Sequence, residues 1–80
     1  MRDNDHVNIT LVLKNGNQVD LRIPVYITAA GLVNQLRSIF HLEENGGMKQ
    51  IKISSKGLIL AENQFLYHYP VTDGDIIEII

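Results

Sequence analysis

The sequence predicts an α+β domain in which a mixed sheet of four to five strands packs on one α-helix. Three observations carry that expectation. Two stretches, residues 7–14 and 18–23, alternate apolar with polar side chains, the period of a half-buried strand. A third, from Ala29 to Phe40, repeats its apolar residues at helical spacing. A β-branched run, Ile76-Ile77-Glu78-Ile79-Ile80, follows directly on an Asp73-Gly74 turn. The whole chain is 80 residues long, which makes one domain of a size whose single core buries roughly 60% of the unfolded surface. Residues 1–6 are expected to be a flexible lead-in to it.

In the first strand Val7, Ile9, Leu11 and Leu13 share the inward face, and Asn8, Thr10, Val12 and Lys14 share the other. Asn15-Gly16 follows, a dipeptide that tolerates positive φ and predicts a two-residue type I′ hairpin turn. The returning arm buries Val19, Leu21 and Ile23 and stops at Pro24, which has no backbone N–H for further pairing. Thr28 caps the helix, whose stripe is Leu32, Val33, Leu36, Ile39 and Phe40. Gly31 costs about 1 kcal/mol relative to alanine there, so it marks either a weak first turn or the close approach of another backbone. Glu43-Glu44-Asn45-Gly46-Gly47 is expected to be an exposed loop. Beyond it Ile51 and Ile53 point inward, Ser55-Lys56-Gly57 turns the chain into Leu58-Ile59-Leu60, and Leu66, Tyr69 and Val71 form an irregular apolar patch. In the last strand Ile77 and Ile79 face the core.

Composition narrows the function. With no cysteine, the fold has no disulfide framework or thiolate metal site, and it suits a reducing cytosol. Seven basic against nine acidic side chains give a net charge of −2, without the basic face of a nucleic-acid binder. No apolar stretch approaches the ~20 residues of a membrane span, so no direct membrane insertion is expected. His6, His41 and His68 lie in separate elements without ligand-like spacing, and no metal or cofactor is expected. No serine has a positioned base, Asp73 and Asp75 are turn formers around Gly74, and Gly46-Gly47 lacks the Lys-Ser/Thr context of a phosphate loop. The chain is therefore expected not to be an enzyme.

What remains is binding. Alternation places Asn8, Thr10, Val12, Lys52, Ser54, Ile76, Glu78 and Ile80 on the outward sheet face. A solvated face has no need of Val12, Ile76 and Ile80, so their grouping marks a candidate contact surface. Tyr67 and His68 are a second candidate, because aromatic residues anchor interfaces.

Two hairpins, one helix, the stretch Leu66-Tyr67-His68-Tyr69-Pro70-Val71 and the Asp73-Gly74-Asp75 turn into a closing strand together resemble the β-grasp fold of ubiquitin. Within that superfamily, Asp20-Leu21-Arg22-Ile23-Pro24, Ser55-Lys56-Gly57-Leu58-Ile59-Leu60 and Asp73-Gly74-Asp75-Ile76-Ile77 look most like the YukD/EsaB family of bacterial ubiquitin-like proteins. The resemblance implies a non-conjugated cytoplasmic accessory or regulatory protein of the type VII (WXG100/ESAT-6) secretion system of Gram-positive bacteria. Its partners would be protein components of that machine, the cytosolic parts of membrane proteins among them, which would hold it at the membrane periphery. Ubiquitin and the sulfur carriers of this fold act through a terminal diglycine, where this sequence has Ile79-Ile80, and Lys52 stands where ubiquitin's recognition patch needs an aliphatic residue. The alternatives are a sulfur- or acyl-carrier protein and a β-grasp domain that self-associates as a weak homodimer through a strand edge.

Overall fold

The computed structural model describes residues 5–41 and 49–80. Five strands, β1 (His6–Val12), β2 (Gln18–Pro24), β3 (Ile51–Ile53), β4 (Leu58–Leu60) and β5 (Ile76–Ile79), form one sheet in the order β2-β1-β5-β3-β4. β1 runs parallel to β5 and antiparallel to β2, and β3 is antiparallel to both of its neighbours. The sheet is thus mixed, with the one helix α1 (Ala29–Phe40) packed on it.

Period-two alternation sets the inner face as the sequence implies. Ile9, Leu11, Ile51, Ile53, Leu60 and Ile77 are buried and meet Ala29, Leu32, Val33 and Leu36 of α1 in a single core. Thr28 caps the helix in an extended conformation, its Oγ1 accepting the Gly31 N–H at 3.1 Å. Gly31 is tight against its own preceding turn, because a Cβ there would lie 3.0 Å from Ile27 Cγ1. The close neighbour is therefore a side chain and not a second backbone.

Several expectations need correction. The first hairpin does not turn through a two-residue type I′ loop. The Leu13 N–H donates to the Asn17 carbonyl and the Gly16 N–H to the Leu13 carbonyl, Gly16 has φ +91°, and Asn15 does not have positive φ. This is a three-residue loop, Lys14 to Gly16, in which a turn is followed by a left-handed glycine. His6, expected within the lead-in, is the first residue of β1 and lies opposite Pro24. Ile39 leaves the helical stripe and is 64% exposed, while Phe40 packs against the core. The expected loop at Glu43 to Gly47 lies outside the described residues.

The connection from β4 to β5 carries a single 3-10 turn, Leu66–His68, whose Leu66 is fully buried. It is clamped to the β2–α1 connection by backbone bonds: Leu66 N–H to the Ile27 carbonyl, Tyr67 N–H to the Val25 carbonyl and Ala29 N–H to the Gln64 carbonyl. Thr28 and Phe65 form an antiparallel bridge between the same segments.

Candidate protein-binding surfaces

The sheet registers bring most of the expected outward residues together. Thr10 lies beside Ile76, and Val12 and Lys52 flank Glu78. Ser54 reaches β5 as well, its N–H donating to the Ile76 carbonyl and its hydroxyl to Glu78 Oε2. Thr10 Oγ1 donates to Asp20 Oδ1 at 2.8 Å, and the Asn8 N–H donates to Asp73 Oδ1 at 2.8 Å. Much of the polar chemistry on this face is therefore spent within the molecule. Its apolar exposure is spread over Ile59, Ile76 and Ile80, of which Ile59 was not anticipated from the sequence.

Tyr67 and His68 sit elsewhere, on the 3-10 turn, and the structure adds two partners to them. The Tyr67 ring centroid is 4.9 Å from Tyr26, 5.4 Å from Phe65 and 4.2 Å from His68. Tilted and edge-on packing at these separations is favourable for aromatic rings. All four residues are exposed, Tyr26 to 64% and Tyr67 to 46%, so the rings pack on one another in the open and not in the core. Beside them runs an open groove of about 510 Å³ lined by Val25, Tyr26, Leu66, Tyr67, Tyr69 and Val71 among others. Tyr26 was missed because it is an isolated aromatic in sequence, and the backbone pairing of its connection with the 3-10 segment puts it beside Tyr67. Phe65 stands only two residues before Tyr67, so its nearness was already legible in the sequence.

Asp75 is more than a turn former. It is 6% exposed and accepts hydrogen bonds from Ser55 Oγ at 2.7 Å, Lys56 Nζ at 2.7 Å and the Thr72 N–H at 2.9 Å. Burial alone pushes its carboxyl up. The hydrogen bonds from Lys56, Thr72 and Ser55, with the Lys56 charge, outweigh that and hold it below the ordinary value. Lys56 Nζ also donates to the Pro70 carbonyl and to Thr72 Oγ1, so this network is a fastening within the fold. Among the described residues no group of three or more His, Cys, Asp or Glu side chains is placed to hold a metal ion, and no helix is long and apolar enough to cross a membrane.

Comparison with known proteins agrees with this architecture. The profile of the family described as WXG100 protein secretion system (Wss), protein YukD, matches residues 6–79. The type VII secretion system accessory factor EsaB of Staphylococcus aureus (strain Newman) is 32% identical over 79 residues, which cover 96% of this chain and 99% of that protein. A chain of the MycP5-free ESX-5 inner membrane complex superposes with a TM-score of 0.74 at 18% identity, over 95% of this chain and 21% of that one. Caldiarchaeum subterraneum ubiquitin superposes with a TM-score of 0.69 at 21% identity, over 94% and 91%. The two structural likenesses establish a ubiquitin-like β-grasp fold.

Proposed function

Because this chain belongs to the YukD family of the WXG100 protein secretion system, we propose that it serves type VII secretion by docking, from the cytoplasm, onto the cytosolic part of a membrane component. Its family role is that of a ubiquitin-like accessory protein, and its partners are proteins of the secretion machinery. The docking surface in this reading is the aromatic cluster of Tyr26, Phe65, Tyr67 and His68.

One observation carries the choice of surface. Four exposed rings make four contacts at centroid separations of 4.2 to 6.1 Å, three of them through Tyr67, on two connections fastened together by backbone hydrogen bonds. Rigid aromatic groups such as Tyr lose little conformational entropy on binding, and Tyr is among the residues enriched at interface hot spots. The sheet face favours docking less, because Thr10 and Ser54 already bond to Asp20 and Glu78 and the exposed isoleucines are dispersed.

Complementation tests the reading. In cells lacking the gene, the wild-type chain restores export of WXG100-type substrates, and the Tyr26→Ala/Tyr67→Ala variant, expressed to the same level and folded, does not. Full export by that variant would contradict docking through the cluster.

A further inference from the structure

β2 is an edge strand of seven residues, and among the described residues no further strand pairs with its outer side. The register shows which groups that edge offers. β1 and β2 pair with residue numbers summing to thirty, as in Val7 opposite Ile23 and Leu11 opposite Val19. The Leu13–Asn17 and Asp5–Val25 bonds make the odd-numbered positions the hydrogen-bonded ones. The even-numbered residues Gln18, Asp20, Arg22 and Pro24 therefore turn their backbone groups to the open side. The even residues of β1 do the converse: Asn8 and Thr10 bond to Gly74 and Asp75, toward β5.

An edge of this kind is a template for another strand. Its charges select the strand. If a second copy adds antiparallel about a two-fold axis, outward groups must meet outward groups, so the axis passes through Asp20, Leu21 or Arg22 when most of β2 is paired. An axis at Asp20 sets Asp20 against Asp20, and one at Arg22 sets Arg22 against Arg22. An axis at Leu21 sets Asp20 of each copy against Arg22 of the other, twice, on the outward face. The Thr10 hydroxyl already holds the Asp20 carboxylate on that face, and a carboxylate has acceptor capacity left for a guanidinium. The same axis sets Val19 against Ile23 and Leu21 against Leu21 on the helix side, where Val19 and Leu21 are half-buried at the open edge. The backbone pattern admits this register, with one donor missing where Pro24 meets Gln18, and the side chains of both faces favour it over the other two axes.

We propose that the chain forms a two-fold homodimer by antiparallel pairing of β2 with β2 of a second copy, centred on Leu21. Two five-stranded sheets become one of ten strands, with both helices on the same face. The aromatic cluster takes no part, so the dimer stands or falls independently of the docking reading.

Sedimentation equilibrium of the full chain over a concentration series into the millimolar range tests this. Circular dichroism melts establish that each variant is folded. Wild type self-associates, while Asp20→Arg and Arg22→Asp each set two like-charge pairs across the axis and raise the dimer dissociation constant by about tenfold or more. An equimolar mixture of the two variants regains wild-type strength, because the mixed pair again opposes unlike charges at both positions. Amide exchange at Asp20 and Arg22 slows as concentration rises. A wild type that stays monomeric, single variants that associate like wild type, a mixture that does not recover, or crosslinks showing β2 paired to another protein's strand would each overturn the proposal.

Discussion

Lys56 Nζ lies 2.7 Å from Asp75 Oδ2, and this ion pair ties the β3–β4 turn to the entry of β5. The lysine side chain is 29% exposed and the aspartate side chain 7%, so the pair is partly shielded from water. Lys56→Met removes the charge that offsets a buried carboxylate and leaves Asp75 with Ser55 and Thr72 alone. Charge-assisted bonds in such settings are worth about 1.5–3 kcal/mol; with the lysine partly solvated, a loss of about 1–2 kcal/mol is expected. Urea unfolding measures it, and an unchanged midpoint contradicts the role given to this pair.

The same carboxylate sets an acid limb. Its folded pKa lies below the ordinary 3.8, so on acidification the unfolded chain takes up a proton there first. The stabilisation is present in full above the ordinary value and is lost as pH falls through the depressed one. Asp75→Asn therefore flattens the decline of stability below about pH 4. Unfolding midpoints of both proteins across the acid range check this, and parallel curves contradict it.

His41 ends α1 in the left-handed conformation, φ 53° and ψ 42°, with its N–H bonded to the Arg37 carbonyl. A side chain with a Cβ is disfavoured there, and glycine is the usual occupant of this position. His41→Gly should stabilise the domain by about 0.5–1 kcal/mol, the smaller figure if the freer unfolded chain takes back part of the gain. A lower melting temperature for the variant would contradict the assignment.

Tyr67 separates binding from folding. Its ring is half in solvent and touches other exposed rings, whereas its neighbour Leu66 is fully buried. Tyr67→Ala should cost less than about 1 kcal/mol of stability, and Leu66→Ala about 2–5 kcal/mol. Thermal melts that place the two variants together would mean that the aromatic cluster is structural.

Local patterns were legible in the sequence where one face of one element decides the outcome. The alternation of β1, β2 and β5, the Thr28 cap and the burial of Leu32, Val33 and Leu36 follow from period and residue type. Ile39 was misplaced because helical spacing says which residues share a face and not how far the covering layer extends along it. The hairpin loop differed by one residue because Asn-Gly serves both a type I′ turn and a turn closed by a left-handed glycine. Asp75 looked like half of an Asp-Gly turn, and its three partners come from Ser55, Lys56 and Thr72. Tyr26 and Phe65 lie 39 positions apart in the sequence and enter one cluster through strand-like pairing of two connections. Such nonlocal assembly leaves no periodic trace.

Docking through the aromatic cluster is the claim on which the functional account rests. Site-specific photocrosslinking from position 67 in living cells, followed by identification of the captured protein, tests it most directly. The account predicts capture of a cytosolic segment of a type VII secretion membrane component, lost when Tyr26 is replaced by alanine. Capture of no secretion component from position 67, with efficient capture of one from the outward sheet face at Lys52 or Ile76, would contradict it.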